Sequence, residues 1–324
     1  MLKGLALTPP VIGRISIGKV MEKNGKRLPE KNDEFTVTSQ VQNKEGWVNH
    51  PVDETLRKAA NTKLRSIPVR LLFDDPDLNL RANYSLFDRQ TGRPLCVGNG
   101  ETCRRSLAAG VQTLACPSPE ACELARGGYC KPYGRLNVRI GDDDELGSFV
   151  FRTTGFNSIR TLSARLSYFH AVSGGILSTL PLELRLRGKS TTQSHRAPIY
   201  YVDLTIQSDL TLAEAIANAR AETELRKSSG FDQAALDNAA RQGFAAGAFE
   251  ESEEEGAAVV EEFYPDEFDS GDGAFGNATT TNKPKSGLAD KLNEKAARMN
   301  GQGRSAPTGE LSGEISRQVQ HGRA

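Results

Sequence analysis

Five cysteines, Cys96, Cys103, Cys116, Cys122 and Cys130, fall within one short stretch, and the other positions of the 324-residue chain contain none. Thiolates are the strongest ligands that a protein offers to zinc, and four of them close a tetrahedral structural site. Cys103, Cys116, Cys122 and Cys130 supply four, separated by 12, 5 and 7 residues. Turn formers lie between them (Pro117, Ser118, Pro119, Gly127, Gly128), so the segment can fold back on itself. Few large apolar side chains occur in it, so a structural Zn²⁺ would take the place of a missing local core. The spacing is not the paired CxxC pattern. Two other readings stay open beside zinc: an iron–sulfur cluster, which four cysteines also hold, and buried, inert thiols. Cys96 sits on a strand-like run and is expected to be the spare, buried thiol.

A second group of residues suits an anionic ligand. Arg152, Thr153, Thr154, Asn157, Ser158 and Arg160 gather where a predicted strand meets a predicted helix. Helix N-termini present free N–H groups to anions. The same residues equally suit ordinary capping, with Asn157 or Ser158 as N-cap. Arg185, Arg187, Lys189 and Arg196 line a predicted hairpin with Tyr200 and Tyr201 nearby. Arg185 and Arg187 are two apart and so share a face. Basic and aromatic side chains together suit contacts to a nucleic-acid backbone or single strand. A solvated sheet face is the plain alternative.

Signs of an enzyme are thin. None of His50, His170, His195 and His321 sits in an HxxxH, HExxH or deaminase-type context. His170 closes a predicted helix, where a cation offsets the helix dipole. Asp74, Asp75 and Asp77 read as a turn, although acid pairs also hold Mg²⁺, and Asp142–Asp144 read as a solvated turn. No phosphate-binding or dinucleotide-binding Gly-rich loop occurs. The chain is therefore expected to have no catalytic residues, with a metal-dependent hydrolase as the minority reading.

The elements that must position these groups follow from periodicity. Short apolar runs at residues 11–17 and 35–38 read as strands, and Asn24-Gly25 as a hairpin turn. Residues 53–60 suit a short helix. Residues 66–73, 80–87, 94–97, 135–140 and 149–154 suit strands. Ile159, Leu162, Leu166 and Phe169 share one face of a helix, with Arg160 and Arg165 off it. Residues 181–187 and 199–206 alternate as an antiparallel hairpin. Thr211 and Glu214 form a capping box for a helix over 212–227, and a weaker helix covers 232–246. The expected fold class is α+β: a mixed, mainly antiparallel sheet, a few helices and a Cys-rich metal-stapled lobe. The expected organisation is a core over residues 1–230, with a Cys-rich insertion at 96–130. A largely disordered tail over 231–324 follows, acidic and then rich in Gly, Thr and Asn.

A net charge of zero hides a split. Residues 1–207 carry 29 Lys and Arg against 20 Asp and Glu, a net of +9. Residues 208–269 carry 4 against 16, a net of −12. The basic part favours an anionic partner, and the acidic part could shield that surface or meet a basic protein. No apolar run is long enough to span a membrane, and the start of the chain lacks the pattern of a signal peptide. A cytoplasmic location is expected, and structural disulfides are then disfavoured.

The cysteine run ending in Cys130-Lys-Pro-Tyr-Gly-Arg-Leu, the Thr153-Thr-Gly-Phe-Asn-Ser-Ile stretch and Leu180-Pro-Leu-Glu-Leu together resemble the recombination directionality factor-like family of phages and integrative elements. The resemblance spans roughly residues 5–207. It implies a regulatory partner of a serine integrase that turns integration into excision. Some relatives bear the label "hydrolase or metal-binding protein". Two readings stand beside it: an accessory that binds single-stranded DNA directly, and a metal-dependent hydrolase. Under the first, the partners are DNA, a site-specific recombinase, or both.

Overall fold

A computed structural model describes residues 10–23, 26–43, 46–61, 63–141, 147–190, 192, 196, 198–246, 256, 259, 260, 263 and 264. Contacts divide the chain into Met1–Gly271 and Asp272–Ala324, and every described residue lies in the first unit. The expected turn at Asp142–Asp144, His195, His321 and the Gly/Thr/Asn-rich end of the tail lie outside the described residues.

The strands are β1 (Val11–Lys23), β2 (Lys26–Asn43), β3 (Gly46–Asn49), β4 (Ser66–Leu71), β5 (Leu80–Phe87), β6 (Pro94–Gly98), β7 (Thr102–Leu107), β8 (Gly110–Ala115), β9 (Lys131–Arg139), β10 (Ser148–Thr153), β11 (Leu182–Ser190) and β12 (Pro198–Ile206). The helices are α1 (Pro51–Ala60), α2 (Pro76–Asn79), α3 (Phe156–Ser173), α4 (Leu212–Ser228) and α5 (Gln233–Ala246). The strands run in the order β3-β2-β1-β10-β9-β5-β6-β7-β8. Among the described strands, only β1 and β10 pair in parallel. The class is α+β with a mixed, mostly antiparallel sheet.

Strand β9 is where the sheet forks. Its residues Lys131–Leu136 pair with β5, while Val138 and Arg139 pair with β4. β4 then pairs with β11, and β11 with β12. The two branches curl around one apolar core that includes Phe35, Val37, Ile67, Leu136, Val138, Phe151, Leu182, Leu184 and Leu204. Helix α3 fills the interior with Ile159, Leu162, Leu166 and Phe169, the face that its spacing predicts. Its other cations stay outside: Arg160 is exposed, and Arg165 reaches Asp203 of β12.

Local chemistry sets the ends of these elements. Lys23 pairs with Lys26, so β1 and β2 form the hairpin that Asn24-Gly25 predicts. His50 caps α1 by accepting from the Val52 N–H through Nδ1, and Pro51 starts the helix. Asp53 then pins α1 to the sheet. It is 2% exposed and accepts from Val37 N and from Arg57 Nε. Thr211 and Glu214 form both bonds of the capping box at α4.

Two readings need correction, and the Asp74–Asp77 turn stands. The N-cap of α3 is Gly155, with no side-chain cap. Ser158 Oγ instead accepts from Val202 N on the edge strand β12, and Asn157 Oδ1 accepts from Lys189 Nζ. A bare strand edge has N–H groups that need acceptors, and that demand takes Ser158, while the Lys189 ammonium takes Asn157. Asp74, Asp75 and Asp77 lie at the turn into α2, as their spacing suggests. Asp75 caps α2, while Asp74 Oδ1 accepts from the backbone N–H groups of Leu177 and Ser178. The cysteine segment is no separate lobe, because β6, β7 and β8 extend the main sheet as an antiparallel meander. Strand β6 pairs with the β5 edge that a lobe would have left bare, and β7 and β8 add to it in turn.

Past residue 230 the chain stays in contact with the core. Leu236, Ala240 and Phe244 of α5 pack on Phe73 and Leu78. Val259, Val260, Phe263 and Tyr264 form a second apolar cluster with Phe87 and Tyr133.

Candidate metal centre and basic sheet face

Strand register decides where each thiol stands. On β6, Cys96 lies between Leu86 of β5 and Arg105 of β7, and Gly98 lies opposite Cys103. Residues 96 and 98 share a face of the sheet, as do 103 and 105. Cys116 follows β8 directly, and its N–H donates to the Glu101 carbonyl at 2.8 Å. Cys122 precedes a short 3-10 helix, Glu123–Ala125. Cys130 directly precedes β9. Residues far apart in sequence thus converge on one end of the sheet.

Gly98 is what allows the approach. A Cβ there would stand 2.7 Å from Cys103 Cβ and 3.0 Å from Cys116 Sγ. Cys103 is buried, and the other four thiols are half-buried. Cys96 is half-buried rather than buried as its strand suggested, and register sets it opposite Arg105.

All five cysteines are free thiols. Burial pushes the Cys103 thiol up to about 11, and the neighbouring Cys96 adds to the effect. Burial also pushes Cys130 up to about 12, reinforced by Cys96, Cys116, Cys122 and Cys103. Crowded thiols in a dry place resist ionisation, and a divalent cation reverses that preference. Among the described residues, no three His, Cys, Asp or Glu side chains are already arranged to hold a metal ion. Thiols are the donor type that suits Zn²⁺, and Gly98 lets the chain bring Cys103 and Cys116 close to one another.

The residues proposed for an anion or partner surface divide into two groups. Arg185 and Arg187 do share a face of β11, but two buried acids share it with them. Arg185 is bound to Glu183 and to Ser208, and Arg187 to Asp203. Burial opposes ionisation of Glu183, yet Ser66, Ser208 and Arg185 together hold its carboxyl below the ordinary carboxylate range. Lys189 lies over the Tyr201 ring and donates to Asn157. Arg196 is exposed at a turn with φ of 64°. Arg185 and Arg187 are thus tied to acids of their own sheet face.

Arg152 belongs elsewhere. On β10 it pairs with Arg135 of β9, which pairs in turn with Arg81 of β5. Three arginines stand side by side across three strands. Arg14 of β1 pairs with Val150, and Val150 with Asn137 of β9. This is the face of the sheet turned away from the Leu136–Val138 core. Aromatic rings flatten the guanidinium groups onto it. Arg14 lies 4.0 Å over the Trp47 ring, and Arg81 lies 4.3 Å over that of Phe244. Arg14 is only 6% exposed and Arg135 only 9%. Arg14, Arg81 and Arg135 were missed in the sequence. The available signal was alternation, with Arg135, Asn137 and Arg139 all on the polar phase of β9.

A family model described as Gp3-like, recombination directionality factor-like, matches residues 12–207. The chain belongs to this recombination directionality factor-like family. The match covers more than half of the chain. It begins inside β1 and ends just past β12, so it takes in every strand, the thiol cluster and the arginine row. Helices α4 and α5 and everything after them fall beyond it. No curated protein and no solved structure gives a match. Among the described residues, no helix is long and apolar enough to cross a membrane.

Proposed function

We propose that this member of the family is a non-enzymatic accessory of site-specific recombination in a phage or integrative element. In this reading a structural Zn²⁺ on Cys103, Cys116, Cys122 and Cys130 staples the end of the sheet, and Cys96 lies beside it. The basic sheet face meets DNA, or a recombinase already bound to DNA. Its partner would be a serine integrase. Binding one recombinase–DNA arrangement more tightly than another shifts the population toward it. What carries the reading is the family match, which encloses both the converged thiols and the arginine row.

The metal would hold strands and do no chemistry, since four thiolates leave it no open position. Metal analysis of the purified protein checks this, with about one zinc per chain as the expected stoichiometry. Cys116→Ser should lose most of it, and so should Gly98→Ala, which keeps every donor but fills the space among them. Full-length protein that is folded and metal-free, as isolated and after zinc addition, would refute the staple. The recombination role is checked by adding the protein to the integrase of the same element with attachment-site DNA. Excision should rise and integration fall, and identical yields with and without the protein would end that reading.

A second reading, direct single-stranded DNA binding, draws on the rings and guanidinium groups of the same face. It predicts tight, salt-sensitive DNA retention by the isolated protein with no recombinase present.

A further inference from the structure

Three strands, β3, β8 and β12, have a strand neighbour on one side only among the described residues. A bare edge offers unpaired N–H and C=O groups to another strand, and proteins blunt such edges by shortness, proline, charge or cover. Strand β3 is four residues long. Strand β12 starts at Pro198, lies against α3 and gives its Val202 N–H to Ser158 Oγ. Strand β8 has none of these devices. Its six residues, Gly-Val-Gln-Thr-Leu-Ala, include no proline and no charge, and all but Leu114 are exposed.

The phase of the ladder tells which backbone groups of β8 are free. Cys116 N–H donates to the Glu101 carbonyl, and in an antiparallel pair every second residue turns its backbone groups to the neighbour. Gly110, Gln112 and Leu114, opposite Leu107, Arg105 and Cys103, therefore bond β7. Val111, Thr113 and Ala115 turn their N–H and C=O groups outward. These three are spaced symmetrically about Thr113, and their side chains share one face of the sheet.

We infer that β8 docks on β8 of a second copy of this chain, antiparallel, about a two-fold axis through Thr113. A two-fold contact sets the same patch against itself, so a strand suits it when its free groups are symmetric about one residue. In this register Val111 meets the partner's Ala115, Thr113 meets the partner's Thr113, and Ala115 meets the partner's Val111. Each pair exchanges two hydrogen bonds, about six across the join. Thr–Thr and Val–Ala pairs are favourable cross-strand neighbours. Charge does not oppose the contact. Residues 107–115 carry none, and the nearest cation on that face is Arg104, opposite Thr113. The Arg104 side chains of the two copies stand three strand spacings apart, about 14 Å, beyond the screening length of about 8 Å in physiological salt. A foreign strand would find the same free groups, but only a second copy matches their symmetry. The contact also adds a fourth strand to the part of the sheet that has few buried apolar side chains.

The inference depends neither on a bound metal nor on a role in recombination. Sedimentation of the full-length protein at micromolar concentration should give twice the mass of one chain, falling to one chain on dilution. Amide exchange at Val111, Thr113 and Ala115 should slow as concentration rises, while Gln112 and Leu114, already bonded to β7, should not change. Thr113→Lys sets like charges directly opposite each other across the axis and should weaken self-association by about tenfold. Thr113→Pro removes an outward N–H without removing a β7–β8 bond and should act in the same direction. Thr113→Cys keeps the strand and tests the register. Opposed Cα atoms of a hydrogen-bonded pair stand about 5.5 Å apart, within disulfide reach. Mild oxidation should therefore link two chains through position 113, whereas Val111→Cys should form no link between its own counterparts. A protein that stays monomeric at every concentration would overturn the inference. So would a dimer whose outward β8 amides exchange at the same rate as in the monomer, a result that needs no variant to fold.

Discussion

The centre of the sheet and its β6–β8 end have the same hydrogen-bonded pairing but different support. At the centre, Leu136, Val138, Phe151, Leu162, Leu182 and Leu184 are all at most 2% exposed and meet across one core. Between residues 95 and 130 the buried hydrophobic side chains are only Cys103 and Ala125. Leu107 and Val111, at the tip of the β7–β8 hairpin, are 43% and 47% exposed. Backbone pairing without an apolar face is marginal in water. One continuous sheet thus has unequal support: burial holds the centre, whereas the β6–β8 end is joined by backbone pairing with few buried apolar side chains.

The sharpest way to break that comparison is to remove metal from the end alone. Chelation of the zinc-loaded protein should abolish amide-exchange protection in β6, β7 and β8, while β9 and β10 keep theirs. Equal protection in both regions before and after chelation would show that the end needs no staple. The complementary change acts on the centre. Leu162→Ala removes a fully buried side chain from α3 and should cost about 2–5 kcal/mol in denaturant unfolding, with zinc content unaltered. Simultaneous loss of metal would mean that the two regions share one cooperative unit.

The smallest expected effect is a pH dependence that belongs to the centre only. His50 accepts a hydrogen bond at Nδ1 and meets the edge of Phe149 at 5.0 Å, and burial lowers its pKa from the ordinary 6.5. Because the folded state favours neutral imidazole, its contribution is complete above about pH 6.5 and is lost as pH falls from there through the lowered folded value. Denaturant midpoints measured between pH 7.5 and 5 should show this slope for the wild type. His50→Asn, which keeps an N-cap acceptor, should flatten it. An identical slope in both would remove His50 from the account.

The arginines of β11 and the arginine row across β10, β9 and β5 give a second contrast. Both of the cationic groups sought in the sequence contain real arginines, but register gives them different neighbours. Arg185 and Arg187 fall on a face with Glu183 and Asp203, whereas Arg152 falls beside Arg135 and Arg81. Composition reports how many charges a segment carries. It does not report which of them register brings together.

Much of the scaffold could be read from the chain itself. Alternation marked most of the strands, the 3.6-residue spacing marked the buried face of α3, and Thr211 with Glu214 marked the start of α4. These features depend on neighbours a few residues away, so local sequence suffices to fix them. The thiols were also visible as a set. Their joint position was not, because it depends on Gly98 facing Cys103 and on β9 returning Cys130 to the edge of β5. The arginine row, the fork at β9 and the capture of Ser158 by Val202 are likewise products of long-range pairing. The sequence by itself determined the elements, the family and the residue types available for chemistry. The tertiary structure alone decided which side chains became neighbours, because strand register is set by the burial of one whole face and cannot be read from any single strand.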